Sequence, residues 1–379
     1  MEKKFGYEVD YIAIGDKSKS GDAIGIRWGY DLDKSNAEQF VMLIDGGHKC
    51  SAGDVVRHIK KYYYGDEDIE KEKAIVDLVI NTHPHSDHLA GLPVIYEQLV
   101  IQELWMHRPW DHAGLPKWFD DGRVTDKSIK EQLKDGLEDA YKLSKSYQKD
   151  TGLDTVEPFS GLTAKLKYGV TLYVLGPTRS FYERLLPDFN STPTNGTGVG
   201  KKRIILDPDE NDVEASNNDL TDEGDTSAEN QSSVVLVLKM QNEDLLMFTG
   251  DAGINSLQNA MDQFDKFALD ISKLTLFHVP HHGSLQNMGK TIVKRIFGSP
   301  IEPKQTKAVT ARISVAAQPE YGHPSRRVIN ALLRVGCKVF ETHGMSKQFH
   351  KGSALLHSGW SNVESLQPYE KVEGVSYDK

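Results

Sequence analysis

Residues 82–91 of the chain read Thr-His-Pro-His-Ser-Asp-His-Leu-Ala-Gly, and the apolar run Ala-Ile-Val-Asp-Leu-Val-Ile at residues 74–80 comes just before them. The apolar run predicts a buried strand, so the histidines and the aspartate are expected to follow the end of that strand. Imidazole nitrogens and a carboxylate oxygen are ligands that zinc and similar ions prefer. A polar loop that is merely rich in histidine is the alternative, but the density of potential ligands favours a metal site.

The spacing within this stretch divides the ligands into two pairs. His83 and His85 are two residues apart, so in an extended segment their side chains point the same way and can bind one ion. Asp87 and His88 lie further round the turn and can bind a second ion. A two-metal hydrolase needs such an arrangement, with its ions about 3.5–4 Å apart and a hydroxide between them.

The same pattern, an apolar strand followed by a turn that carries Asp or His, recurs along the chain. Ligands gathered at the same end of several strands are how open sheets build sites. The pattern occurs at Asp45 after residues 40–44, at Asp251 after residues 245–248, at His281 and His282 after residues 274–279, and at His323 after residues 311–317.

Each of these residues has a predicted role and an alternative. Asp251 is expected to bridge the two metals, because one carboxylate oxygen can meet each ion; a helix-capping aspartate is the alternative. Adjacent side chains diverge, so only one of His281 and His282 is expected to be a ligand, with His282 slightly favoured. His323 could complete a metal shell, protonate a leaving group or be structural. Asp45 is either a turn residue or the carboxylate that orients a ligand loop.

Two earlier histidines leave the question of further ligands open. His107 and His112 follow a strand predicted at residues 101–106 and could reach the site or belong to a surface loop. No histidine occurs between His112 and His278. The remaining ligands are therefore expected to come from beyond residue 250.

Composition limits the class of protein. The chain has 379 residues, of which 38% are hydrophobic and 26% charged, as expected of a soluble protein with a substantial core. A net charge of −10 argues against tight non-specific binding to nucleic acid. No apolar run is long enough to cross a bilayer and no signal-peptide core is present, so a cytoplasmic protein without membrane contact is expected. Cys50 and Cys337 are expected to be free thiols, although one disulfide remains an alternative.

Outside the strand ends, the chain shows several distinct segments. Residues 53–64 and 92–99 are predicted helices, and a helical insertion is predicted at about residues 113–160, with an apolar stripe along one face. Residues 190–230 are acidic and poor in apolar side chains, which predicts a mobile loop. Residues 371–379 are predicted to be a frayed tail.

The His-x-His-x-Asp-His motif at residues 83–88 resembles the signature of the metallo-β-lactamase superfamily. The order of residues 20–23, 43–47, 82–91, 248–253, 279–284 and 321–325 resembles, more narrowly, the hydrolase domain of the competence protein ComEC. No membrane channel of the kind that accompanies ComEC is expected, and residues 318–320 depart from the ComEC pattern just before His323. The chain is expected to be a free-standing relative, so a role in DNA uptake is not transferred to it.

This resemblance implies an α/β fold, the four-layer αββα sandwich, with residues 1–370 forming one domain. It implies two divalent metal ions, zinc in the first place or manganese, and a metal-bridging hydroxide that attacks phosphorus or a carbonyl carbon. The implied metal ligands are His83, His85, Asp87, His88, Asp251, His281, His282 and His323. Asp87, His282 and His323 are the expected catalytic residues, and Asp45 and Asp22 are carboxylates expected beside the ligands.

The ComEC-like order of motifs favours a phosphodiester substrate, either a nucleotide or short nucleic acid. A lactone or thioester hydrolase is the alternative, and a binding protein without activity is a third interpretation. The acidic balance of the chain favours a small substrate over a long polymer. The sequence does not predict an oligomeric state.

Overall fold

The computed structural model of the chain describes residues 2–15, 17–34, 37–112, 137–189, 203–205, 212–216, 220–224, 226–302, 305–319 and 322–377. The strands are β1 Phe5–Tyr11, β2 Ile24–Tyr30, β3 Glu38–Ile44, β4 Ile75–Ile80, β5 Val100–Trp105, β6 Thr163–Lys165, β7 Thr171–Gly176, β8 Arg203–Ile205, β9 Val213–Glu214, β10 Val235–Lys239, β11 Leu245–Phe248, β12 Leu274–His278, β13 Thr310–Ile313, β14 Lys338–Glu341, β15 Lys347–Gly352, β16 Lys371–Val372 and β17 Val375–Tyr377.

The α-helices are α1 Ala52–His58, α2 Ser86–Leu89, α3 Leu92–Gln98, α4 Glu138–Thr151, α5 Arg179–Leu185, α6 Ala228–Gln231, α7 Ile254–Lys266, α8 Lys290–Phe297 and α9 Arg326–Arg334. A π-helical turn, Ile59–Tyr63, continues α1. The predicted helix at residues 53–64 is therefore confirmed, as are the strands that precede the polar turns, except that the strand predicted at residues 311–317 ends at Ile313.

Within the described residues, most strands belong to two large sheets. The first has the order β15-β1-β2-β3-β4-β5, and the second has the order β14-β13-β12-β11-β10-β7-β6. Strands β3 to β5 are mutually parallel, and so are β11 to β14. Because parallel strands end at the same edge of a sheet, the turns that follow β3, β4, β11 and β12 lie near one another.

The side-chain alternation of the strands divides the core into layers. In β1, Tyr7, Val9 and Tyr11 face the second sheet, whereas Glu8 and Asp10 face the helices outside the first sheet. One apolar cluster fills the space between the two sheets, a second lies under α1, α3 and α4, and a third lies under α7, α8 and α9. This is the four-layer αββα sandwich that the sequence predicts.

Three segments differ from expectation or fall partly outside the described residues. Of the predicted helical insertion, residues 113–136 lie outside them, and α4 occupies the described remainder. The predicted acidic loop is also described only in part, and there it contains β8, β9 and α6. The predicted frayed tail is wrong for residues 371–377, because β16 pairs with β9 and β17 pairs with β8. The backbone of these residues is ordered by pairing with a distant segment, and the composition of residues 371–379 does not predict that pairing.

The cysteine prediction is confirmed, since Cys50 and Cys337 are both free. In the part of the chain that the structure describes, no helix has the length and apolar character needed to span a membrane.

Candidate metal centre

Two clusters of potential metal ligands meet at the common edge of the two sheets and share one residue, Asp251. The first cluster consists of His83, His85 and Asp251, and the second of Asp87, His88, Asp251 and His282; within each, one ligand atom per residue lies within 4.8 Å of the others. His83 Nε2 is 3.8 Å from Asp251 Oδ2, and His88 Nε2 is 3.3 Å from Asp251 Oδ1. The two carboxylate oxygens of Asp251 thus face different clusters.

The turn after β3 holds the histidine segment in place. Gly91 N donates to Gly47 O at 2.8 Å, and Gly46 N donates to His88 O at 2.7 Å. A Cβ atom on Gly91 would lie 2.0 Å from Gly46 O, so only glycine permits this approach of the two backbones. Local packing between two distant glycine turns therefore sets the position of the ligand loop.

Asp45 lies beneath this loop, fully buried, and accepts hydrogen bonds on both carboxylate oxygens. Oδ1 accepts from Asn81 Nδ2 at 2.9 Å and from Thr82 N at 2.7 Å. Oδ2 accepts from Thr82 Oγ1 at 2.6 Å and lies 2.8 Å from His88 Nδ1. Asp45 therefore makes contact with both the first and the last part of the histidine motif.

These contacts determine the tautomers of two histidines. Because a carboxylate only accepts, His88 Nδ1 must carry the hydrogen that points at Asp45. The Thr82 hydroxyl donates its hydrogen to Asp45, so its oxygen accepts a hydrogen bond from His83 Nδ1, which lies 3.1 Å away. Both Nε2 atoms are then left facing Asp251, and both are buried without a hydrogen-bond partner among the described residues. A carboxylate behind a ligating histidine is the usual way to orient its ring.

The buried charges shift the pKa values of the cluster in opposite directions. Burial lowers the pKa of His83 well below its usual value. Burial would also lower the pKa of His88, but the carboxylates of Asp251, Asp87 and Asp45 outweigh it and raise the pKa well above the usual value. Burial would raise the pKa of Asp251, but the neighbouring imidazoles hold it well below its usual range. The carboxylates therefore stay ionised in a site that attracts positive charge.

The two adjacent histidines after β12 diverge. His282 Nδ1 donates to Ser314 O at 2.9 Å, which leaves Nε2 at 3.4 Å from Asp87 Oδ2, inside the second cluster. His281 instead has Nδ1 at 2.9 Å from Asn287 Oδ1 and Nε2 at 3.7 Å from Asp251 Oδ2. Burial would lower the pKa of His282, but Asp87 and the other nearby carboxylates raise it to about 9.

His323 lies beside His281, with 5.7 Å between the ring centres, and outside both clusters. Its Nδ1 is buried without a hydrogen-bond partner among the described residues, and burial together with His281 and His282 lowers its pKa to about 4. His107 and His112 do not join either cluster. His107 packs against the rings of Phe159 and Tyr182, and His112 lies between two glutamates, Glu157 at 2.8 Å and Glu183 at 3.1 Å.

Asp22 lies next to the clusters, fully buried. Its Oδ2 is 3.2 Å from His278 Nε2 and 3.9 Å from His88 Nδ1. Burial would raise the pKa of Asp22, but His278 and His88 hold it below the usual range. His278, the last residue of β12, was not predicted as part of the site, because an in-strand histidine carries no signal that distinguishes it from a core residue.

Two more residues near the centre were missed. Glu229 Oε2 lies 4.0 Å from His85 Nε2, although residue 229 falls in the segment predicted to be a mobile loop. Asn287 orients His281 and also donates to Asp251 O at 2.8 Å. Both come from segments whose sequence shows no strand-end pattern, so their proximity depends on the tertiary fold alone.

The donor set fits divalent metal ions. The unpartnered buried atoms include Nε2 of His83 and His88 and both carboxylate oxygens of Asp251. Buried polar atoms without partners are costly, so their concentration at one point fits a site that binds a cation. Imidazole nitrogens with carboxylate oxygens suit zinc and similar ions.

Comparison with known proteins identifies the family to which the chain is similar. A sequence profile described as the metallo-beta-lactamase superfamily matches residues 36–297. No curated protein sequence matches the chain.

Similar solved structures include the metallo-beta-lactamase fold protein YhfI from Bacillus subtilis, with 11% identity, 91% of this chain and 99% of that chain covered, and a TM-score of 0.40. They also include MEM-A1, a subclass B3 metallo-beta-lactamase from a soil metagenome library, with 12% identity, coverage of 76% and 85%, and a TM-score of 0.33. The profile match spans well over half of the chain. The chain therefore belongs to the metallo-beta-lactamase superfamily, whose members are typically metal-dependent hydrolases.

Proposed function

We propose that this chain is a binuclear metal-dependent phosphodiesterase that hydrolyses nucleotides or short nucleic acids. The observation that carries the proposal is the pair of ligand clusters that share Asp251, with unpartnered Nε2 atoms of His83 and His88 directed at its two oxygens. Two ions held by such a pair of clusters would supply the chemistry of metal-assisted phosphodiester hydrolysis.

The residues that would hold the ions are those of the two clusters, with His281 beside the first. Zinc suits the donor set best, and manganese is the alternative. When bound, such ions act as Lewis acids and lower the pKa of coordinated water. Burial of His83, His88 and Asp251 keeps bulk water from the shared oxygens and holds the rings in one orientation.

The solvent-facing side of the clusters would receive the substrate. Asp87, His281 and His85 have side chains that are 24%, 29% and 36% exposed, whereas the residues behind them are buried. Among the described residues this is the exposed side of the clusters, so an electrophilic phosphorus would approach from here. At this face Asp87 would bind a metal ion and would orient His282 through the 3.4 Å contact between Asp87 Oδ2 and His282 Nε2.

His323 is our candidate for the group that transfers a proton to the leaving group. Its pKa of about 4 leaves the ring neutral near pH 7 in the free protein, and the negative charge of a bound phosphodiester would raise that pKa and let the ring take up the proton. Its ring adjoins that of His281 on this side, and its buried Nδ1 makes no hydrogen bond to any described residue. A proton donor matters most for an alkoxide leaving group, which is a strong base.

One feature supports a phosphodiester over a carbonyl substrate, and a second bears on the size of the substrate. The motif order resembles that of the ComEC hydrolase domain, with the late ligand set at Asp251 and at residues 281–284. The net charge of −10 favours a small substrate over a long polymer.

The test is hydrolysis of bis(p-nitrophenyl) phosphate by the metal-loaded protein, with p-nitrophenyl acetate, a lactone and a thioester assayed in parallel. Asp87→Asn should lower kcat/KM at least about 100-fold, which is more than the loss expected when only a hydrogen-bond partner of a metal ligand is removed. Asp265→Asn is the matched control, because that carboxylate is exposed and pairs only with Arg295 among the described residues. Metal analysis should find about two ions per chain.

Turnover of the lactone or thioester without phosphodiester turnover would replace the proposal with a carbonyl hydrolase. If no substrate class turns over in the metal-loaded protein, a binding protein becomes the better interpretation. For His323, the His323→Gln variant should lose at least about tenfold more activity on a dinucleotide than on bis(p-nitrophenyl) phosphate. Equal losses on both substrates would exclude His323 as the proton donor.

A further inference from the structure

A large chamber lies at the outer edge of the sandwich, away from the metal centre. Edge strands β14 and β15 contribute to its lining, and so does the connection between β15 and β16 at residues 356–363, here called the crossing segment. Its volume is about 1130 Å³, slightly more than the roughly 300–1,000 Å³ of typical small-molecule sites. None of the ligands of the two metal clusters lines it.

The lining of the chamber is strongly basic, although the chain as a whole is acidic. Its cationic side chains are Lys17, Arg57, Lys61, Arg312, Lys338 and Lys347. The carboxylate among its lining residues is Asp54, which pairs with Arg57 at 2.7 Å. A concentration of positive charge in a protein with a net charge of −10 cannot reflect overall composition, so it creates a local field that attracts anions.

Several of these cations have no counter-ion. Lys61 lies 3.7 Å from Glu67, but Lys17, Lys338 and Lys347 have no carboxylate within 4 Å in the described parts of the chain. Burial and the neighbouring Arg312 lower the pKa of Lys347, and Glu341 offsets this effect only in part. Lys347 therefore lies in a place where an additional anion would be favourable.

Arg312, from β13, gives an independent indication of a ligand. It is only 6% exposed, and its Nε and Nη1 atoms have no hydrogen-bond partner among the described residues. Its Nη2 donates to Gln348 O at 2.9 Å, its Cζ lies 4.5 Å from the centre of the Phe340 ring, and the more distant Asp10 and Tyr11 interact with it electrostatically. A buried guanidinium with unpaired donors is costly unless an anion joins it, and a guanidinium suits phosphate oxygens best.

The walls of the chamber are held by buried contacts, so the site does not have to form around its ligand. His58 Nε2 from α1 and His357 Nε2 from the crossing segment lie 2.9 and 2.7 Å from the same oxygen of Asp10. Trp360 Nε1 donates to Tyr62 OH at 3.1 Å. These contacts join the helix, the first sheet and the crossing segment into one unit around the opening.

We propose that this chamber is a second ligand site, separate from the metal centre, that binds a small molecule rich in phosphate groups. The ammonium groups of Lys338 and Lys347 bind the phosphate oxygens, and the buried guanidinium of Arg312 adds positive charge behind them. The ligand is a free polyphosphate or a nucleotide that presents one. The proposal does not depend on the phosphodiesterase activity, because it rests on none of the metal ligands.

The experiment is calorimetric titration of the metal-loaded full chain with inorganic pyrophosphate and, separately, with adenosine diphosphate and adenosine. Wild type should bind pyrophosphate at the chamber, and Lys338→Gln/Lys347→Gln should weaken that binding at least about tenfold, since each lost charge-assisted contact is substantial. Lys60→Gln is the matched control, because Lys60 precedes Lys61 and carries the same charge but does not line the chamber. Affinity should also fall with added salt.

Three comparisons separate this site from the metal centre. Asp87→Asn should leave chamber binding unchanged, and the double lysine variant should keep the wild-type melting temperature and wild-type hydrolysis of bis(p-nitrophenyl) phosphate. Tighter binding of adenosine diphosphate than of pyrophosphate identifies a nucleotide ligand, and equal binding identifies an inorganic polyphosphate. Binding that is lost in Asp87→Asn but kept in the double lysine variant, or no binding of either phosphate compound, would overturn the proposal.

Discussion

Replacement of Asp45 by asparagine tests the idea that one buried carboxylate orients the ligand histidines. The variant keeps the shape of the side chain but replaces one acceptor oxygen by an NH₂ group that can only donate. Both oxygens of Asp45 accept two hydrogen bonds each, Oδ1 from Asn81 and Thr82, and Oδ2 from Thr82 and His88. Either orientation of the amide therefore sets an NH₂ group against two donors, so two hydrogen bonds must be lost.

The magnitude follows from those two bonds. Hydrogen bonds to a charged group contribute roughly 1.5–3 kcal/mol each, so the loss is about 3–6 kcal/mol. Removal of a buried charge offsets part of it, since burial already raises the pKa of Asp45. The free energy of unfolding of the metal-free protein should fall by about 3 kcal/mol, and metal affinity should fall about 10–100-fold, as for other partners of ligating histidines.

Chemical denaturation of the metal-free protein measures the first quantity, and competition with a chromogenic chelator measures the second. Asp77→Asn is the control, because Asp77 is also a largely buried acceptor, of Val41 N at 2.9 Å, but lies away from the clusters. If Asp45→Asn binds zinc within threefold of wild type, Asp45 does not orient the ligands. If only stability falls, its role is structural.

Three further outcomes are expected. Gly21→Ala should destabilise the protein by about 1–3 kcal/mol and weaken metal binding, because the added Cβ would lie 2.5 Å from Asp87 O. The control Gly53→Ala should be neutral or stabilising, because its Cβ would meet nothing within 4 Å. Equal effects of the two substitutions on chemical denaturation would refute this prediction. Burial would lower the pKa of His357, but its buried carboxylate partners raise it, so its contribution to stability is complete below its unfolded pKa of about 6.5 and is lost as the pH rises through the folded value. Wild-type stability should thus fall from pH 6.5 to 8.5, and His357→Gln should flatten the profile; burial also raises the pKa of Glu8 to about 7, which gives the variant a residual slope of the same sign. Removal of metal by a chelator should lower the melting temperature and re-addition should restore it, and no change on chelation would argue against ions bound at the buried clusters.

Much of the fold could be predicted because its signals are local. Apolar runs with strand spacing predict β3, β4, β11 and β12, and the turns after them follow from their glycines and aspartates. The two small sheets, β16-β9 and β17-β8, were harder to predict. The pairing of β16 with β9 joins residues far apart in the chain, and the composition of residues 371–379 resembles that of any polar tail.

The division between the two sources of information is clearest at residues 82–91. The sequence alone determined the kinds of ligand, their spacing and the family, because ligand chemistry and strand-end turns depend on neighbouring residues. Only the tertiary structure decided that His282 faces Asp87 while His281 turns to Asn287, and that Arg312 lies buried with unpaired donors. These are contacts between segments separated by many residues, and they depend on how whole strands pack, which no local pattern of residues encodes.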